Sequence, residues 1–229
     1  MTFDDLRFVS VFTGITFGRE CYLNRARAEE LVDKINNTFH NLFPRYEILT
    51  PRHPISMINV DDKCECVISP RELIYRDYKG IPEEDFLKIA QGILKIFMDL
   101  FALHDVRRIG KVYDFNLSVQ SPQEIMRKAF TRFDEELEIG RLHSLFRQAG
   151  KNININFFTF QGGRLEIFGG ETEIDIPGGL IIRCDINNIK MDEPLEEISK
   201  TFEEIFAFAD EYIKTGLIEL LDKYLGDVL

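Results

Sequence analysis

The residues able to do chemistry fall into a few sets, and the most distinctive is basic. Arg107-Arg108 and Lys111 lie within a few residues of Tyr113 and Phe115. Cations of this kind can hold an anion, and cations beside aromatic rings are the pattern used for single-stranded nucleic acid. Arg107, Arg108, Lys111 and Tyr113 are therefore the candidate ligand-binding residues. Arg127-Lys128 with Arg132 form a second basic group. The competing reading pairs these charges with the acidic C-terminal part of the chain, within the fold or across a dimer.

The other sets argue against particular reactions. Cys64-Glu-Cys66 would put two thiols on one face of a strand, and Cys21 and Cys184 would complete four thiolates. The spacing is not that of a zinc ribbon, because a second close pair is missing, so buried cysteines acting as small apolar groups are expected and no metal site is assigned. His40, His53, His104 and His143 are isolated. His40 reads as part of a helix, and His104 reads as a helix C-terminal residue favoured by the dipole. Gly162-Gly163, Gly169-Gly170 and Gly178-Gly179 each lead into a strand, which suits hairpin turns better than a phosphate cradle. No Walker A sequence, dinucleotide fingerprint or serine elbow is present, and no cofactor is called for. Carboxylate pairs such as Asp61/Asp62, Glu83/Glu84 and Glu203/Glu204 are numerous, so none is singled out for acid–base work.

The elements that must position these residues are organised around 81–118. Pro82 suits the first turn of a helix, and Glu83, Glu84 and Asp85 face the positive end of its dipole. Phe86, Ile89, Ile93, Ile96, Phe97 and Leu100 then form one apolar stripe at helical spacing. After His104-Asp105 the period changes to two, and 106–118 reads as a strand. The pattern recurs: Leu195, Ile198, Phe202, Ile205 and Phe206 match the stripe at an offset of 109, and Leu180-Ile-Ile-Arg183 matches Leu73-Ile-Tyr-Arg76 at 107. An internal duplication of a strand–turn–helix unit is the expectation.

Taken in order, 6–18 reads as a central strand, because both of its faces are apolar. A helix capped by Asn24 runs towards Pro44. Short antiparallel strands follow at 46–49, 55–60, 64–69 and 72–78, with a turn at 51–54. Ser121 and Pro122 start a short helix to Phe130, and 133–145 suits either a helix or an exposed strand. Strands at 152–160, 164–168, 172–176 and 180–187 precede a final helix from Pro194, which breaks near Gly216 and resumes to Leu225. The class is α+β: mostly antiparallel sheet backed by long amphipathic helices. The expected halves are 1–120 and 121–229, or one continuous domain.

The net charge is −11 and uneven: residues 1–106 carry −4, 107–164 carry +4 and 165–229 carry −11. An acidic chain is a poor candidate for non-specific nucleic-acid binding. No run of apolar residues is long enough to span a membrane, and the N-terminal residues lack the basic start and apolar core of a signal peptide. Four cysteines without a disulfide framework then point to the cytoplasm.

Arg108-Ile-Gly-Lys-Val-Tyr113 resembles a motif of the form Arg-Ile/Val-Gly-Leu-Arg-Tyr, which follows a long helix in a sporadically distributed family of uncharacterised prokaryotic proteins of similar length. Gly179-Leu-Ile-Ile-Arg-Cys-Asp-Ile186, then Leu195-Glu-Glu-Ile198 and a Phe-rich helix, is similar to that family's C-terminal pattern. This chain has Lys111 and Val112 where the motif has Leu and Arg. The resemblance implies no activity, cofactor or catalytic residue; its patchy distribution suggests an accessory role. The leading expectation is a non-enzymatic interaction protein or scaffold whose partner is an unknown protein or a second copy. The alternative is a small-ligand or anion-binding domain using 107–132. A carboxylate-dependent hydrolase or nuclease is the third reading.

Overall fold

The computed structural model describes residues 2–48, 55–130, 141–188 and 194–226. Its elements follow in the order β1 (Arg7–Phe17), α1 (Arg25–Thr38), β2 (Arg45–Ile48), β3 (Ile55–Asn59), β4 (Cys64–Ile68), β5 (Glu72–Asp77) and α2 (Glu83–Phe101). Then come β6 (Val106–Ser118), α3 (Pro122–Phe130), β7 (Arg141–Gln148), β8 (Lys151–Phe160), β9 (Gly163–Ile167), β10 (Thr172–Ile176), β11 (Gly179–Asn188), α4 (Ile198–Lys214) and α5 (Gly216–Leu225). The class is α+β with a large antiparallel sheet, and the printed registers between β2, β3, β4, β5 and β1 are all antiparallel. Among the described residues, no helix is long and apolar enough to cross a membrane.

Two compact units share this chain, each assembled from distant segments. Unit A comprises Ser10–Val112 and Asn187–Phe206; unit B comprises Met1–Val9, Tyr113–Ile186 and Ala207–Leu229. The break expected at 118–122 falls inside unit B.

In unit A the strands neighbour one another in the order β2-β3-β4-β5-β1-β6. Alternation decides which side chains are buried. Ile55, Met57, Cys64, Cys66, Ile68, Leu73 and Tyr75 have almost no exposed surface, while Ser56, Ile58, Glu65, Val67, Ile74 and Arg76 between them are half-buried. The buried face meets α2: Tyr75 stacks on Phe86 at 5.0 Å between ring centroids, and Phe17 lies 5.0 Å from Phe97. Asn24 caps α1 by accepting from the Arg27 amide at 2.9 Å, as its position predicts.

Three local expectations are corrected. Pro82 precedes α2 instead of opening it: its backbone is extended beyond the ring-fixed φ, and its carbonyl accepts the first helical bond, from Phe86 N at 3.0 Å. α4 starts at Ile198 rather than at Pro194, because the Leu195 amide is used to reach the Val106 carbonyl at 2.8 Å. His40 lies past the end of α1, where His40 and Asn41 both adopt positive φ and turn the chain away from the helix.

In unit B the order is β1-β6-β11-β8-β7, with β9 and β10 as a separate two-stranded ribbon. The portion of the uncertain 133–145 segment that is described begins β7; 133–140 lie outside the described residues. Only Gly169-Gly170 joins two paired strands, β9 and β10. Gly162 and Gly178 instead face each other where the chain enters and leaves the ribbon, since a Cβ on Gly162 would lie 2.8 Å from the Gly178 amide. Gly179 has a φ of +150°, and a Cβ there would overlap the Leu117 carbonyl oxygen. These glycines answer to close backbone approach, not to hairpin geometry.

Gly179→Ala is therefore expected to cost about 2–4 kcal/mol of stability. Gly150→Ala, with positive φ but open space around it, is expected to cost about 1 kcal/mol. Urea unfolding of both variants checks the comparison; equal losses would assign the effect to φ alone.

Candidate functional site

The basic candidates are placed separately. Arg107 Nε donates to Asp105 Oδ1 at 3.0 Å, beside Gly18, where any Cβ would collide with its guanidinium. Arg108 lies across the sheet over Gly14 and Gly110, and its Nη1 donates to the Gly14 carbonyl at 3.1 Å. Lys111 is 1% exposed, with its ammonium 4.8 Å and 5.5 Å from the centroids of Phe206 and Phe86. Buried rings attract a cation on their faces, which is how a lysine comes to lie in this core. Tyr113 belongs to unit B, is buried and donates from its hydroxyl to Asp210.

Arg107 also lines a cavity of about 560 Å3 with Arg19, His104, Asp105 and Pro194. In α3, Lys128 pairs with Glu124 at 2.6 Å; Arg132 lies outside the described residues. Four thiols, Cys21, Cys64, Cys66 and Cys184, are buried and unpaired. Burial pushes Cys21 up to about 11 and Cys64 up to about 12, so both are protonated thiols at neutral pH. His143 Nδ1 lies 2.8 Å from Asn156 Oδ1, and His53 falls outside the described residues.

Two features of unit A were not singled out by sequence reasoning. One is the half-buried sheet face. Cross-strand registers set Ile58, Glu65, Arg76 and Phe12 in one row, and Ser56, Val67, Ile74 and Gly14 in the next. Arg76 is fixed there: Nη1 donates to Glu65 Oε1 at 3.0 Å and to the Tyr78 hydroxyl at 3.2 Å, and the guanidinium stands 4.4 Å over the Phe12 ring.

The other is a cavity of about 460 Å3 at the end of β5, between α1 and α2. Asp77 belongs to its wall and has no exposed surface. Asp77 Oδ2 accepts from the Gly80 and Ile81 amides at 2.5 Å and 3.1 Å, whereas Oδ1 has no hydrogen-bond partner. Loss of hydration raises the Asp77 pKa above the usual carboxylate value, against the opposing pull of those amides and Lys79. The signal was present in the parity of β5. Leu73 and Tyr75 mark the buried face, and Asp77 is the next residue in the same phase.

The cavity is preorganised by side-chain amides. Asn36 Oδ1 accepts from Phe43 N at 2.9 Å and Asn36 Nδ2 donates to Phe43 O at 2.8 Å, closing the loop after α1. Asn59 Nδ2 donates to Leu42 O at 2.8 Å, and Asn59 Oδ1 accepts from Asp62 N at 2.9 Å. Phe39 is seated against Gly92 of α2, where a Cβ would overlap its ring.

No protein-family model and no curated protein matches the chain. Among solved structures, "Methanococcus jannaschii TBP" is similar at 13% identity, covering 90% of this chain and 98% of that one, with a TM-score of 0.30. A superposition of that quality carries no argument about fold or activity, which rest on this chain's own residues.

Asp77 makes a signed prediction about pH. A carboxyl whose pKa is raised by folding binds its proton more tightly in the native state, so its contribution to stability falls as pH rises from the ordinary aspartate range through the raised value. Asp77→Asn removes this slope. Unfolding measured from pH 3 to 7 should show the variant gaining on the wild type as pH rises; a constant difference would refute the assignment.

Proposed function

We propose that this protein is a non-enzymatic binding module of the cytoplasm that docks another polypeptide on the half-buried face of its sheet. The carrying observation is an arginine locked among apolar strand residues. In unit A, Arg76 is held by Glu65 and Tyr78 beside Phe12, Val67 and Ile74. In unit B, Arg183 makes a two-pronged pair with Asp114, Nε to Oδ1 at 2.7 Å and Nη2 to Oδ2 at 2.9 Å, and it follows the half-buried Ile181. Arginine and aromatic groups fixed before binding lose little entropy on docking and dominate interface energetics. The buried free thiols of all four cysteines support a reducing compartment.

The repeated arginine also supports duplication. Arg76 and Arg183 are separated by the same 107 residues as Leu73 and Leu180, and in both segments the leucine is buried and the arginine half-buried. The element order strengthens the reading: β1-α1-β2-β3-β4-β5-α2 is followed by β6-α3-β7-β8-β11-α4, with the β9–β10 ribbon inserted before β11.

A second reading, an anion-binding domain, is favoured by the cavity that Arg19, His104 and Arg107 line. Asp105 in the same wall already neutralises part of that charge. A phosphate titration followed by NMR, with Arg19→Glu as control, tests it. Shifts at His104 that vanish in the variant would support it, and their absence in the wild type would remove it.

The docking proposal is tested by native mass spectrometry of the protein recovered gently from its own host. The wild type should retain a second polypeptide, another copy or a different chain. Ile74→Asp, which puts a charge on the half-buried face, should lower retention at least tenfold while the circular dichroism spectrum stays unchanged. Retention that survives Ile74→Asp, or a wild type that carries no polypeptide, would overturn it.

A further inference from the structure

The cavity beside Asp77 has no part in the docking face, and its composition is specific. Its walls combine the rings of Phe39 and Tyr75, the aliphatic side chains of Leu42, Ile81 and Ile89, and three carboxylates, Asp62, Asp77 and Asp85. His40 and Lys88 are the basic groups in the wall, while Lys79 is paired with Asp62 at 3.2 Å. A volume of about 460 Å3 lies in the range of small-molecule sites, which are mostly apolar with a few placed polar groups. Among the described residues no cluster of His, Cys, Asp and Glu is arranged to hold a metal ion.

Asp77 supplies the polar anchor. Half of its carboxylate is satisfied by backbone amides and the other half is not, although the residue is fully buried. A buried acceptor without a donor is costly, and a charged one more so. An anion here would meet three carboxylates, and a neutral alcohol would leave the aspartate charge uncompensated. A cationic N–H donor answers both problems, and the ring faces of Phe39 and Tyr75 favour the same charge.

We propose that this cavity binds a small organic ammonium ion, with the charged nitrogen donating to Asp77 Oδ1 and the carbon body lying against Phe39, Leu42 and Ile89. The raised pKa of Asp77 accords with this, since an adjacent cation would return the group to its ionised form. The Asn36 and Asn59 hydrogen bonds hold the loop that carries Phe39 and Leu42, so the pocket exists before the ligand arrives.

The test uses the full chain and three isosteric probes: benzylamine, benzyl alcohol and benzoate. In 1H–15N NMR titrations at pH 7, benzylamine should shift the amides of Gly80 and Ile81 and of the 39–43 loop. It should bind at least tenfold more tightly than the alcohol, and benzoate should leave these amides unmoved. Asp77→Asn should weaken benzylamine at least tenfold and leave benzyl alcohol unchanged. Should that variant fail to fold, Ile89→Trp decides by filling the cavity without touching Asp77. The chain has no other tryptophan, so a blue-shifted emission reports the indole's seating, and benzylamine binding should then be lost. Equal affinity for amine and alcohol, binding that survives Ile89→Trp with the indole seated, or amide shifts elsewhere would overturn the proposal.

Discussion

A continuous run of aromatic contacts sets the geometry on which the rest of unit A depends. Phe43 meets Tyr75 edge-on at 6.2 Å, Tyr75 stacks on Phe86, Phe86 lies 5.9 Å from Phe206, and Phe206 lies 4.4 Å from Phe202. The rings come from the loop after α1, from β5, from α2 and from the first half of α4. Each such pair contributes about 0.5–1.5 kcal/mol beyond the burial of its area, and each also fixes an angle. The stack holds α2 against β5 and so fixes the distance between α2 and the end of β5. The Asp77 cavity is the space left there, with Tyr75 of the stack in its wall. Lys111 is held by the same rings, which is why a lysine at a buried strand position is compatible with this core.

The polar groups divide into those that the fold satisfies and one that it satisfies by half. Arg76, Arg183 and Arg107 each have a carboxylate at hydrogen-bond distance, and Arg108 has a carbonyl. Pairs of this kind give orientation more than stability, because the gain in attraction is offset by lost hydration. Their consequence is a sheet face on which arginines are fixed in place. Asp77 is the contrasting case. Two backbone amides hold one oxygen, and the other faces the desolvation cost alone. Such an arrangement persists in a native fold when stability is supplied elsewhere, and in unit A the aromatic stack supplies it.

Much of the fold was legible because it is written in short-range periodicity. The stripe from Phe86 to Phe97 gave α2, the alternation at 64–68 and 72–77 gave β4 and β5, and Asn24 gave the start of α1. The misreadings have local causes of another kind. Pro82 and Pro194 were both read as first-turn residues, yet where a helix begins depends on where the preceding amides and carbonyls go. The Leu195 amide goes to Val106, some ninety residues away in the chain. The glycine pairs were read as hairpin turns because the neighbours of Gly162 and Gly179 in space, Gly178 and Leu117, cannot be seen from either position.

The candidate site was less legible than the fold for the same reason. By itself the sequence determined the class of the chain, the phase of each strand and helix, the uneven charge and the absence of the familiar catalytic motifs. These depend only on residue type and spacing, which act within a few residues. Tertiary structure alone decided that Lys111 lies over two rings in the core, that Arg107 and Arg108 face different partners, and that Asp77 borders a cavity with one oxygen unsatisfied. Burial and desolvation are properties of what surrounds a group, and these surroundings come from β1, β4, α1, α2 and α4, segments brought together only by folding.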